Sequence, residues 1–249
     1  MKALLKATRE DVYNAPIIPW NNGTYTPLPN STIMDLMDTK IHDLGLTIKS
    51  ESYKVSATKE GLIKGVIGSY NLMTDNGEFG QRVMFRNSYD KSMSFAMVTG
   101  LNCWICENGC IAGEYQYKRV HRGAFDDVMS TTERDVIANI DGGFNLLQQS
   151  YEHNVEQMGE LKQIEISPEA VYQILGVLFL TKNVLTVSQM SIVKRELEVS
   201  KNFRHLGDKD FTAFDLYNHV TESLKVSHPL TYFSDHIETH TLFEETFKI

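Results

Sequence analysis

The sequence predicts an α+β fold: an antiparallel meander sheet over about residues 47–120 packs on a long helix, and a helical C-terminal half follows. Two patterns support this prediction. Short β-rich runs joined by Asn-Gly turns fill the first half, and apolar residues three or four apart dominate after Gly123. With 249 residues and 42% hydrophobic content, the chain can bury a substantial core.

The sequence predicts an irregular N-terminal arm over residues 1–30 and a single domain over residues 31–249. The domain is predicted to be β-rich over 47–122 and helical over 126–249. The arm holds four of the six prolines and an Asn-Asn-Gly turn, which disfavour regular structure. Trp20 and Tyr25 are aromatic residues that a disordered tail seldom carries, so we expect the arm to lie against the body or a neighbouring subunit.

The elements follow in order. Asn30-Ser-Thr and the apolar spacing after Ile33 predict a helix that Gly45 ends. Strands are predicted near residues 53–56, 62–72, 81–86, 94–98, 102–106 and 110–117. Asn-Gly turns at Asn76 and Asn108 predict hairpins, because Asn-Gly readily adopts positive φ.

The helical half is predicted as four segments. A long amphipathic helix covers about residues 130–162 and is interrupted only at Gly142-Gly143. Ser167-Pro168 begins the next, with serine as N-cap and proline at the first helical position. Further helices are predicted over 188–200 and 211–226.

Charge is unevenly distributed along the chain. The whole chain carries a formal charge of −8, which argues against general attraction to nucleic acid, whereas residues 80–122 carry +3. The positive charge of this segment indicates a contact surface for phosphate or for an acidic partner. The alternative is that the strands simply carry basic residues on their solvent side. Its cations are Arg82, Arg86, Lys91, Lys118, Arg119 and Arg122.

Residues 86–92 predict a polar loop between two strands. Asn87, Ser88 and Lys91 could bind phosphate oxygens, and the aromatic rings of Tyr89 and Trp104 could stack on unpaired bases. The alternative is an ordinary turn, in which the polar side chains bond to their own backbone and the aromatic residues belong to the core.

Three cysteines within eight residues do not form the dispersed pattern of a disulfide scaffold. Cys103, Cys106 and Cys110, with His121, could hold zinc, and buried thiols are the alternative. His236 and His240 would share a helix face, but this pair predicts a polar surface better than a metal site.

No nucleophile elbow, phosphate loop or dinucleotide fingerprint is present, which disfavours the corresponding enzyme classes. The sequence also shows no signal peptide and no apolar run long enough to span a bilayer. We therefore expect a cytoplasmic protein without a membrane partner.

Three motifs resemble the phage- and plasmid-encoded family grouped as domain of unknown function 932. They are the loop at Arg86–Ser92, the turn at Cys106–Gly109 and the basic element at Lys118–His121. Lys91 stands where the family often has glycine. Residues 212–221 are similar to the family's C-terminal helix with its aromatic-Asp-x-x-Asn motif, so the resemblance spans about residues 50–225.

The resemblance implies that the protein has a role in replication, recombination or counter-defence in a bacterial host. Our first hypothesis is a non-enzymatic, cofactor-free homo-oligomer that binds single-stranded DNA or RNA in phage or plasmid replication or recombination, strand annealing included. The second is a protein-interaction or counter-defence factor with a phage or host partner. The third is a zinc-dependent enzyme.

Overall fold

The fold is described by a computed structural model covering residues 5–17, 27–104, 109–110 and 131–249, with backbone alone at 109–110 and 131–133. The described strands are β1 Leu5–Ala7, β2 Ile48–Ala57, β3 Ile63–Leu72, β4 Phe79–Ser88, β5 Ala96–Cys103 and β6 Gly109–Cys110. The described helices are α1 Arg9–Tyr13, α2 Asn30–Asp43, α3 Thr131–Leu161, α4 Pro168–Gly176, α5 Val187–Val199, α6 Ala213–Leu224 and α7 Tyr232–Phe247, with a π-helical turn at Val177–Thr181.

The described strands form one sheet in the order β1-β2-β3-β4-β5-β6, so each strand pairs with its neighbours in sequence. The pairings of β1 with β2, β2 with β3, β3 with β4 and β5 with β6 are antiparallel. A meander of this kind needs only hairpin connections. At the predicted Asn76-Gly77 turn neither residue has positive φ; instead, the Asn76 side-chain oxygen accepts hydrogen bonds from the Glu78 and Phe79 amides at 2.9 and 3.0 Å. The α+β class and the antiparallel sheet are confirmed; residues 111–120 of the predicted sheet lie outside the described residues.

Three boundaries differ from the prediction. Segments 94–98 and 102–106 were predicted as separate strands, but β5 runs without a break to Cys103. The strand β4 continues to Ser88, so the first three residues of the predicted polar loop belong to the sheet. Within the predicted irregular arm, Leu5–Ala7 pair with β2 as strand β1, and helix α1 follows.

Helix α1 begins at a capping box that its sequence encodes. The Thr8 hydroxyl accepts a hydrogen bond from the Asp11 amide at 3.1 Å, and the Asp11 carboxylate accepts one from the Thr8 amide at 2.9 Å. Each bond satisfies a backbone donor that the helix leaves unpaired. The Thr-x-x-Asp pattern was present in the sequence but was not used to predict this helix.

The helices predicted over about 130–162, 188–200 and 211–226 are confirmed to within two residues at each end. The predicted start of α4 is confirmed too, with Ser167 as N-cap: its hydroxyl accepts a hydrogen bond from the Ala170 amide at 3.3 Å. Helix α3 continues through both predicted interrupting glycines. A Cβ at Gly143 would lie 2.6 Å from the Met97 side chain. Gly143 therefore allows close packing between α3 and the sheet.

The chain groups into two compact units. The first contains the chain up to Asp75, Gln81–Thr99, and α3 up to Gln149. Its core lies between one face of the sheet and the helices α2 and α3. Buried residues that represent these three elements are Ile33 and Met37 of α2, Tyr70 and Phe85 of the sheet, and Phe144 of α3.

The second unit contains Asn76–Gly80, the end of β5, β6, the remainder of α3 and all later helices. Its core is built from the end of α3, from α4 with the π-helical turn, and from α5, α6 and α7. Fully buried representatives are Leu161 of α3, Leu178 of the π-helical turn, Leu216 of α6 and Phe243 of α7. Helix α7 was not predicted as a separate element. Among the described helices, none combines the length and apolarity needed to cross a bilayer.

Candidate nucleic-acid interface

One face of the sheet in the first unit is polar and basic. Lys6 pairs in register with Lys54, Lys54 with Ile67, and Ile67 with Arg86. Residues directly opposite each other on neighbouring strands point to the same face. Three cations from β1, β2 and β4 therefore form one row across the sheet, on the face opposite Val66 and Phe85 of the core.

A second row on this face is linked by hydrogen bonds. Ser50 pairs in register with Asn71, and Asn71 with Arg82. The Arg82 Nε donates to the Asn71 side-chain oxygen at 2.7 Å, and the Asn71 amide donates to the Ser50 hydroxyl at 2.9 Å. These bonds fix the orientation of the Arg82 guanidinium.

We call this surface the polar face. Its described residues are Lys6, Ser50, Ser52, Lys54, Ser56, Ile67, Ser69, Asn71, Arg82, Met84 and Arg86. Within this set there are four cations and no carboxylate. Hydroxyl and amide groups occupy most of the other positions.

Exposure falls across the polar face from its β1 edge inward. Lys6, Ser50 and Ser52 are exposed and Lys54 is half-buried. Arg82 and Arg86 are only 8% and 5% exposed, and burial lowers the pKa of the Arg86 guanidinium. A ligand arriving from solvent would therefore meet the lysines and serines before the arginines.

Within the predicted loop at residues 86–92, the Asn87 and Tyr89 side chains form hydrogen bonds with a distant part of the chain. The Asn87 amide donates to the Leu28 carbonyl at 3.0 Å and to the Asn30 side-chain oxygen at 2.9 Å. The Tyr89 hydroxyl accepts a hydrogen bond from the backbone amide of Asn30 at 2.8 Å. Asn87 is 0% and Tyr89 1% exposed, so both side chains attach β4 to the start of α2.

The turn after β4 is closed by its own polar groups, as one of the two interpretations of the sequence expected. The Ser88 hydroxyl donates a hydrogen bond to the Met93 carbonyl at 2.8 Å and accepts one from the Met93 amide at 2.9 Å. Burial acts to raise the pKa of Asp90, but the hydrogen bonds from Ser92 and the Lys64 ammonium outweigh it and lower that pKa.

Lys91 is exposed at the tip of this turn and has φ of 61°, in the left-handed region. A residue with a Cβ is strained there, whereas glycine is not. Glycine at this position would therefore relieve the backbone strain.

Replacing Lys91 with glycine is expected to raise the free energy of unfolding, by up to about 1 kcal/mol, because the strain at positive φ is removed. Urea denaturation measures this change. Lys91→Ala is the matched control, since it removes the charge and keeps the Cβ. If alanine stabilised the protein as much as glycine, the backbone explanation would be wrong.

Trp104 belongs to the second unit. Its indole covers Gly80 so closely that a Cβ there would clash with the ring, and its side chain is half-buried. The ring therefore packs on the backbone of β4.

The remaining predicted cations, Lys118, Arg119 and Arg122, lie outside the described residues. So do Cys106 and His121 of the possible zinc site. Cys103 is buried, and Cys110 pairs in register with Leu101. Among the described residues, no group of three or more His, Cys, Asp or Glu side chains is placed to hold a metal ion.

The prediction of a polar surface at His236 and His240 was wrong. The two side chains are 1% and 5% exposed within the second unit. His240 Nδ1 lies 3.4 Å from the Tyr217 hydroxyl, and its Nε2 lies 3.5 Å from Glu244. Burial lowers the pKa of His240. These imidazoles are part of the core.

The aromatic-Asp-x-x-Asn motif is also structural. The Asp215 carboxylate accepts hydrogen bonds from the Thr212 amide at 2.9 Å and the Thr212 hydroxyl at 2.7 Å, and the Asp215 amide donates to the Thr212 hydroxyl at 3.3 Å. The two residues thus form a capping box at the start of α6, with Thr212 as N-cap. Asn218 donates to the Phe214 carbonyl at 2.8 Å. Asp215 and Asn218 are 5% and 3% exposed.

Lys6 and Lys54 were not predicted from the sequence as candidate binding residues. The alternation in Ser50-Glu-Ser-Tyr-Lys-Val-Ser56 could have indicated Lys54, because every second residue of a strand shares a face. Lys6 gave no comparable signal, since its place depends on the pairing of β1 with β2.

Two comparisons with known proteins, one with curated proteins and one with solved structures, gave no match. The family model described as domain of unknown function (DUF932) matches residues 21–236, which is most of the chain. This range includes the polar turn at 86–92, β2 to β5 and the capped helix α6. The chain therefore belongs to the DUF932 family.

Proposed function

We propose that the chain is a non-enzymatic protein that binds single-stranded DNA or RNA through the polar face, in phage or plasmid replication or recombination. The observation that carries the proposal is the row of Lys6, Lys54 and Arg86 on one face, with Arg82 beside it. Cations that converge on one surface attract a phosphate backbone even when the whole chain is acidic.

The chemistry of the polar face suits a phosphate backbone better than base recognition. Ser50 and Ser52 are exposed hydroxyls beside the lysines, and such groups donate to phosphate and sugar oxygens. Neighbouring strands are about 4.8 Å apart, so the row from β1 to β4 spans about 14 Å. Only the β1 and β2 end of the row is exposed, so a backbone crossing there would contact Lys6 and Lys54 and would meet the arginine only as positive potential.

The lysines are the members of the row that can make direct contacts. Lys6 is exposed and Lys54 half-buried, whereas Arg86 contributes positive potential from beneath the surface. The segment that contains Lys118, Arg119 and Arg122 remains part of the proposed interface.

The proposal is tested by fluorescence anisotropy with a labelled single-stranded oligonucleotide across a potassium chloride series. We expect Lys6→Gln/Lys54→Gln to weaken binding about tenfold at low salt. It should also reduce the slope of log K against log salt by about 1.4, since each lost phosphate contact contributes about 0.7 for single strands.

The matched control is Lys194→Gln/Lys201→Gln, which removes the same charge from two exposed positions in the second unit. It should bind like the wild type. Absence of wild-type binding at low salt, or equal loss in both double variants, would overturn the proposal. A duplex of the same sequence, added as competitor, measures the preference for single strands.

A second candidate, a protein-interaction or counter-defence factor, is favoured by a different observation. Arg82 and Arg86 are almost fully covered, which leaves fewer cations at the surface than the sequence suggests. This candidate predicts a phage or host protein partner and no affinity for nucleic acid at moderate salt. The same anisotropy series separates the two candidates.

A further inference from the structure

The second unit exposes two large apolar side chains along α4 and the π-helical turn. Tyr172 is 62% and Leu180 75% exposed. Gly176 lies midway between them, and a Cβ there would meet no atom within 4 Å. Four residues are about one helical turn, or about 6 Å of rise, so the three positions form a stripe with an open notch at its centre.

The stripe lies on the side of this segment that faces away from the core. Val171, Ile174, Leu175 and Leu178 are at most 6% exposed and form the opposite side. The Lys182 amide donates to the Val177 carbonyl at 2.9 Å, which closes the π-helical turn. Such turns are rare and are found often at functional sites.

The outward face of α5 provides a contrast. Val187 and Val199 are also exposed, at 71% and 63%. Between them the exposed positions include Lys194, Arg195 and Glu198, so each valine is an isolated apolar residue on a charged surface. On α4 the exposed residue between Tyr172 and Gly176 is the uncharged Gln173, so charge does not interrupt the stripe.

We propose that this stripe is an interface between two copies of the chain, packed as antiparallel helices that cross at Gly176. A twofold axis at the glycine exchanges Tyr172 with Leu180, because the two lie four residues to either side. Each tyrosine then packs on the leucine of the second copy. Self-complementarity of this kind is what a twofold interface requires.

The ends of the stripe carry opposite charges. Glu169 is exposed seven residues before Gly176, and Lys182 lies six residues after it, paired with Glu238 at 3.1 Å. The same axis places Glu169 of one copy near Lys182 of the other. The Lys182 ammonium would then bridge Glu238 and the approaching Glu169, so the charges favour an antiparallel pair of copies over a parallel one, in which like charges would meet.

The interface is small. A single helical stripe buries less than the roughly 1,600 Å² of a standard interface, so we expect a reversible dimer of micromolar affinity. A glycine at the crossing lets the two backbones approach closely. The inference does not rest on the proposed binding of nucleic acid.

Sedimentation equilibrium of the full chain from about 1 to about 100 µM, a range that brackets micromolar affinity, tests the proposal. The wild type should show a concentration-dependent monomer–dimer equilibrium. Leu180→Glu and Tyr172→Glu should each weaken it at least tenfold, because a carboxylate would be buried at the interface. Val226→Glu changes another side chain that is 60% exposed and should dimerise like the wild type.

Two outcomes would overturn the proposal. One is a wild type that stays monomeric over the whole range, and the other is a Leu180→Glu variant that dimerises as tightly as the wild type. Circular dichroism of each variant checks that it is folded, which is expected since the substituted side chains are exposed.

Cross-linking tests the position of the axis. Gly176→Cys places two thiols at the proposed crossing, so mild oxidation should give a covalent dimer faster than in Ser191→Cys, an exposed position on α5. The wild type sets the background from its three native cysteines. Equal cross-linking of both variants would contradict a crossing at Gly176.

Discussion

Replacing Asp215 with alanine is expected to lower the free energy of unfolding by about 3 kcal/mol, the larger of two strong effects on stability. The Asp215 carboxylate accepts hydrogen bonds from the Thr212 amide and hydroxyl. It also accepts hydrogen bonds from the Arg204 amide at 3.2 Å and from the Arg204 guanidinium at 3.3 Å. Thr212 is the N-cap of α6 and remains in this variant, so the cost comes mainly from its amide and hydroxyl, which are buried and lose their acceptor. Buried donors left without a partner cost about 1–3 kcal/mol each.

Urea denaturation of Asp215→Ala and Asp215→Asn measures this effect. The asparagine variant keeps one acceptor oxygen and should fall between alanine and the wild type. Asp75→Ala removes an exposed carboxylate and should change stability by less than about 0.5 kcal/mol. If Asp215→Ala behaved like Asp75→Ala, the capping network would not stabilise the fold.

Replacing Asn87 with alanine is expected to cost about 2–3 kcal/mol. The side chain is 0% exposed, and its loss leaves the Leu28 carbonyl and the Asn30 side-chain oxygen without their donor. Leu28 and Asn30 are themselves 7% and 2% exposed, so water reaches them poorly. Buried acceptors without partners carry most of the cost.

A double-mutant cycle isolates the bond between Asn87 and Asn30. Asn87→Ala, Asn30→Ala and the double variant, compared by urea denaturation, should give a coupling energy of about 1 kcal/mol or more. Asn202→Ala removes an exposed amide and serves as the control. Strict additivity would show that the two side chains do not support each other.

The elements that the sequence predicted well carry local signals. The start of α4 is set by Ser167-Pro168. The hairpin between β3 and β4 lies at the predicted Asn76-Gly77 turn, but there the Asn76 side-chain oxygen accepts hydrogen bonds from the Glu78 and Phe79 amides, and neither turn residue has positive φ. Helix periodicity likewise located α3, α5 and α6. Signals of this kind act within a few residues, so they remain readable in a single sequence.

The candidate site was harder to predict because it depends on contacts between distant parts of the chain. Asn87 was expected to bind phosphate, yet its partners Leu28 and Asn30 precede it by more than fifty residues. Lys6 and Lys54 become neighbours only through the pairing of β1 with β2. Burial of Arg82 and Arg86 likewise depends on tertiary structure, since strand alternation alone places arginines on a solvated face.

All ten residues of β4 are buried, on both faces of the strand. In a strand with one solvated face, every second side chain points to solvent, so substitutions at about half of its positions have little effect on stability. In β4 every position is constrained by packing or by a buried polar contact, so this strand should have low mutational tolerance throughout. Sequence variation among related chains would then fall mainly on exposed strands such as β2.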